Sequence, residues 1–98
     1  MTEIRFEWDP GKARTNLAKH GVSFEEAASA FYDEFGLLLD DPEHSEEEDR
    51  FVLLGLSSFL HVLVVVHCFR EQEDSIRIIS ARHATHAETR LYQEQMRS

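Results

Sequence analysis

The sequence predicts a small α+β domain, one antiparallel sheet with helices packed on it, in the order β-α-α-β-β-β-β-α. Three observations lead there. Residues 4–8, 37–40, 50–56, 59–69 and 75–82 either alternate apolar with polar or run apolar throughout, which is strand patterning. Helix-starting chemistry stands at Asp9-Pro10, at Ser23 and at Thr85. The last four strands follow one another through short turns, which join antiparallel neighbours and cannot cross between parallel ones.

In chain order, Ile4, Phe6 and Trp8 share one side of the first strand, with Arg5 and Glu7 on the other. Asp9 then caps a helix with Pro10 at its first position, and Gly21 stops it after His20. Its apolar residues are few, Ala13, Leu17 and Ala18, so a narrow buried stripe is expected. Ser23 and Glu26 have capping-box spacing. Phe24, Ala27, Ala28 and Phe31 then recur as an amphipathic helix to about Asp33. Gly36 turns the chain into strand 37–40, and Asp41-Pro42 breaks that strand. Residues 43–49 read as an exposed loop or a single helical turn. Strand 50–56 and the long strand 59–69 flank a tight turn at Ser57-Ser58, and a polar turn at 70–74 leads into strand 75–82. The last two strands are apolar on both faces, which places them centrally, and residues 75–82 are expected to be the central strand. Thr85 and Glu88 form a second capping box, opening a helix to about Met96.

The 98 residues fit one domain, 1–98, with one core. An apolar fraction of 42% is enough to fold it. No apolar run reaches the roughly 20 residues of a membrane span; Leu60 to Phe69, the longest, is interrupted by His61 and His67. The N-terminus has no apolar leader core, and the single Cys68 cannot form an internal disulfide. A cytoplasmic protein without membrane contact is expected. The net charge of −9 is local: nine acids and no Lys or Arg lie between Asp33 and Asp49, and the rest is balanced. That excludes a broadly basic nucleic-acid-coating protein but leaves a phosphate-rich partner open.

Several stretches together resemble the BrnT toxins, the ribonuclease halves of bacterial type II toxin–antitoxin pairs. They are Phe6-x-Trp8-Asp9 with Lys12 and Asn16; Lys19-His20-Gly21-Val22-Ser23-Phe24-Glu25-Glu26-Ala27; the acid-rich loop into Arg50; and Arg77-Ile78-Ile79-Ser80-Ala81-Arg82-x-Ala84-x-x-x-Glu88-x-x-x-Tyr92. The resemblance implies a RelE-like ribonuclease fold and an RNA substrate. It also implies a cognate ribbon-helix-helix antitoxin, with DNA reached only through that antitoxin. The chain departs from the family at positions 83, 86 and 87, where His83, His86 and Ala87 replace basic residues. RNA contacts there would weaken as histidine loses its charge above about pH 6.5.

Cutting RNA without a metal needs a base for the 2′-OH, an acid for the leaving 5′-oxygen and cations for the phosphorane. The expected catalytic set is His20, Glu25, Arg77 and Arg82, with Lys19, Arg50, His67, His83 and Tyr92 binding substrate. Each has a plainer reading. His20 can close a helix end, Glu25 sits in a first turn that favours any carboxylate, and Arg50 can pair with the acids before it. Five residues separate Arg77 from Arg82, which puts them on opposite faces of a regular strand unless a bulge intervenes or Arg82 has left the strand. His61 and His67 read as core or partly buried histidines, and Cys68 as core. His83-x-x-His86 lacks a third ligand, so neither a metal nor another cofactor is expected. The expectation is a metal-independent endoribonuclease that blocks translation. The alternative is a catalytically weak binding module acting as antitoxin partner and co-repressor.

Overall fold

A computed structural model describes residues 4–41, 50–70 and 74–97. Five strands form one sheet: β1 (Arg5–Glu7), β2 (Leu37–Asp40), β3 (Arg50–Leu56), β4 (Val62–Arg70) and β5 (Ser75–His83). The helices are α1 (Pro10–His20), α2 (Phe24–Ser29) and α3 (His86–Arg97), and a 3-10 turn, Ala30–Tyr32, follows α2. Element order and class are those expected. The loop or helical turn expected at 43–49 lies outside the described residues.

The spatial order is β1-β5-β4-β3-β2. β2 to β5 form the antiparallel meander, and β4 rather than β5 holds the middle. β1 adds a parallel edge, pairing Arg5, Phe6 and Glu7 with Ser75, Ile76 and Arg77. Strands apolar on both faces need cover on both, and the helices supply it. On one face Leu53, Leu63, Val65, Ile78 and Ala81 pack with Val22, Phe24, Ala27 and Ala30. On the other, Leu54 and Val64 pack with Tyr92 of α3.

Two local expectations change. The long strand begins at Val62, because residues 57–61 form a wider turn closed by Ser57 N–H donating to His61 O at 2.8 Å. In α1 the buried residue is Asn16, while Leu17 is 51% exposed. The caps hold: Asp9 accepts from Lys12 N, Ser23 from Glu26 N and Thr85 from Glu88 N. Gly21 ends α1 at φ 70°, the left-handed conformation that glycine adopts most cheaply.

Candidate functional site

β5 organises the chemistry, and its register contains one irregularity. Val66 pairs with Ser80 but His67 pairs with Ile78, so Ile79 is an extra residue on β5. This bulge resets the alternation. Arg77 lies opposite Cys68 and Arg82 opposite Val64. Cys68 and Val64 are four apart on β4, so both arginines belong to one face. The opposite-face expectation for a regular strand therefore gives way to the exception allowed for a bulge.

The two arginines still do different things. Arg82 makes a bidentate pair with Glu88, Nη1 to Oε1 at 2.8 Å and Nη2 to Oε2 at 2.9 Å. The same carboxylate accepts from Thr85 N at 2.8 Å. These bonds, the one from Arg82 foremost, hold the Glu88 carboxyl down at about 2, and Glu88 in turn holds the Arg82 guanidinium protonated. Arg82 thus fastens the start of α3. Arg77 sits in a different row, with Glu7 beside it on β1, Cys68 on β4 and Arg50 beyond on β3. Arg70 follows on the same face and pairs with Glu7 at 3.2 Å. By register Arg50, Arg70 and Arg77 share the α3 side of the sheet with Glu7.

A groove of about 480 Å³ opens where β1 ends and α1 crosses the uncovered edge of β5. Lys12, Asn16, Lys19 and His20 line it from the helix, Ile79 and Ser80 from the bulge. Asn16 fixes its floor, donating through Nδ2 to Ala81 O at 2.8 Å and to Val22 O at 3.0 Å, and accepting from Ala81 N at 3.0 Å. The amide thereby occupies the place of a missing strand neighbour. Lys19 and His20, both named from the sequence, line this groove together with Lys12.

A third group lies at the end of the sheet. Glu26 is buried in α2, and its Oε2 accepts from Ser57 Oγ at 2.7 Å and faces His61 Nδ1 at 2.8 Å. The His61 ring stands 4.9 Å from that of exposed His83. Glu26 escaped the sequence reading because its capping-box spacing already explained it. Only its backbone takes the Ser23 hydroxyl. The neighbouring Glu25 is exposed.

His67 and Tyr92 are both interior. Burial pushes the His67 imidazole below its ordinary range, and its ring packs edge-on to Phe31 at 4.7 Å. Tyr92 is 3% exposed and donates its hydroxyl to Asp33 at 2.5 Å. Burial and that bond both raise the phenol. Burial acts to raise the Asp33 carboxyl as well. The bonds it accepts from Tyr92 and from the Leu56 and Phe35 amides outweigh this and hold it below its usual range. Among the described residues, no three His, Cys, Asp or Glu side chains are grouped to hold a metal ion.

A family model described as the ribonuclease toxin, BrnT, of type II toxin–antitoxin systems matches residues 8–88. Among solved structures, the chain is similar to the 1.1 Å crystal structure of the Brucella abortus ribonuclease toxin, BrnT. The two are 26% identical over 85% of this chain and 99% of that one, with a TM-score of 0.56. No curated protein matches the chain.

Proposed function

The chain belongs to the BrnT family of ribonuclease toxins of type II toxin–antitoxin systems, and from that premise we propose that it cuts RNA by metal-independent transesterification, with the phosphate backbone seated in the groove between α1 and β5. The observation that carries this reading is the convergence of Lys12, Lys19 and His20 on one groove beside the bulge. Lysine ammoniums in such a groove supply a large share of the affinity for a nucleic-acid backbone. Ser80 lines the groove and, by register, shares the face of Arg77. Three residues of strand separate them, about 10 Å. A backbone leaving the groove over Ser80 therefore meets Arg77 and then Arg50. Arg82, committed to Glu88, supports the site from behind.

In this reading the protein acts in the cytoplasm as a single domain, blocks translation, and is neutralised by a DNA-binding antitoxin of the ribbon-helix-helix class. The edge strand β2, where Leu38 is 61% and Leu39 43% exposed, supports this reading as the surface such a partner would cover. Beside it lies an apolar cavity of about 360 Å³ lined by Phe31, Leu38, Phe51, His67, Phe69 and Ile76.

The test is incubation of the purified protein with RNA in EDTA between pH ~5 and ~8. Cleavage is expected, and none at any pH sinks the metal-independent reading. Replacing Lys12 and Lys19 together with Ala should weaken RNA binding and flatten its salt dependence by about 1.4 in log–log slope. An unchanged slope removes the groove from the proposal.

A further inference from the structure

We propose that His61 and His83 are the proton-transfer pair of this ribonuclease and that Glu26 positions His61; this deepens the ribonuclease reading above and rests on it. Three features of the sheet end point there.

The first is orientation. An ionised carboxylate only accepts hydrogen bonds, so the 2.8 Å contact with Glu26 places the proton of His61 on Nδ1. Its Nε2 then carries the lone pair. The side chain is 48% exposed while that of Glu26 is 6% exposed, so the base is accessible and its partner is buried behind it. A buried carboxylate beside an imidazole fixes the tautomer and stabilises the imidazolium formed when the ring takes a proton.

The second is preorganisation. The turn that carries His61 is tied at each step. Ser57 N–H bonds His61 O at 2.8 Å, Leu60 N–H bonds Ser57 O at 2.9 Å, and Ser58 N–H bonds Ser29 Oγ on α2 at 2.8 Å. Ser57 Oγ binds Glu26 and lies 3.2 and 3.3 Å from the amides of Phe59 and His61. A network of this kind holds a reacting group in place before substrate arrives.

The third is a seat for a base. Phe59 is 66% exposed with its ring 6.5 Å from that of His61. An exposed aromatic beside the reacting groups offers a stacking surface to a nucleobase of any sequence.

The step balances within the substrate. His61 Nε2 takes the proton of the ribose 2′-OH. The 2′-oxygen bonds to phosphorus, the P–O5′ bond breaks, and its electron pair leaves on O5′. That oxygen takes a proton from the His83 imidazolium. The products carry a 2′,3′-cyclic phosphate and a 5′-OH, and solvent returns the proton from His61 to His83 between turnovers.

The experiment uses the full chain and a short fluorogenic RNA. His61→Gln and His83→Gln, both at exposed positions, should each lower kcat at least ~100-fold with KM within about threefold. Glu26→Gln should lower kcat with KM unchanged, while circular dichroism stays that of the parent. A second substrate assigns the roles: a sulfur in place of the bridging 5′-oxygen leaves without a proton. It should restore His83→Gln to near the parental rate and leave His61→Gln slow. Parental kcat in either histidine variant on the oxygen substrate overturns the pair, as does failure of the sulfur substrate to rescue His83→Gln. An unmodified protein that cuts no RNA overturns the ribonuclease reading together with this one.

Discussion

Asn16 on α1 and Ala81 on β5 exchange two hydrogen bonds, side-chain amide to backbone, at 2.8 and 3.0 Å. They stand 65 residues apart in the chain. The pair sets α1 against the strand and so defines the groove. Asn16→Ala leaves the Ala81 N–H and the carbonyls of Ala81 and Val22 without this partner in a buried place. It should cost about 3 kcal/mol of folding free energy, read by urea denaturation. RNA affinity should fall as well, since the groove loses its fixed floor.

Arg82 and Glu88 give a pH-dependent contribution whose sign follows from the carboxyl. Its ordinary value of 4.5 falls to about 2 in the folded chain. The stability it adds is complete above pH ~4.5 and is lost as pH falls toward 2. Solvent reaches both side chains, at 42% and 31% exposure, which holds the pair to about 1 kcal/mol. A double-mutant cycle of Arg82→Ala and Glu88→Ala at pH 7 should return that coupling. Equilibrium denaturation of Glu88→Gln should show a flatter acid limb than the parent.

His67 works in a higher window. Burial depresses its imidazole below the ordinary 6.5. Its contribution is therefore present above that pH and is lost as pH falls below it, because the unfolded chain binds the proton more readily. His67→Phe should reduce the loss of stability between pH ~7 and ~5, measured as unfolding free energy against pH. An equal slope in the variant contradicts this.

Tyr92→Phe removes one donor from Asp33 and leaves that carboxylate the amides of Leu56 and Phe35. The expected cost is about 1 kcal/mol, a fall in Tm of roughly 4–8 °C. RNA cleavage by the folded variant should match the parent, since the phenol is buried under α3.

Much of this molecule was legible from local pattern. Strand alternation and the three caps are written in neighbouring residues, and Ser23, Thr85, Asp9 and Gly21 act as their types suggest. Pairings between distant segments were not. The parallel bond of Phe6 to Ile76 leaves no local trace, and Ile78-Ile79 reads as ordinary strand although Ile79 is a bulge. Lys19 and His20 stood out as adjacent basic residue types at a helix end, and the structure places both in one groove. The contact between Glu26 and His61 was not legible, because each residue had a sufficient ordinary explanation. What joins them is a turn that brings residues 35 positions apart to 2.8 Å.

The parallel edge of β1 also orders events during synthesis. Arg5–Glu7 and α1 are made before their partner strand, which begins at Ser75. Until then α1 has no β5 to rest on, Asn16 has no Ala81 to bind, and one wall of the groove is missing. A truncated or half-made chain thus carries the cations without the cleft. The groove therefore exists only in a chain whose β5 has been made and has paired with β1, a dependence built into the order of the strands.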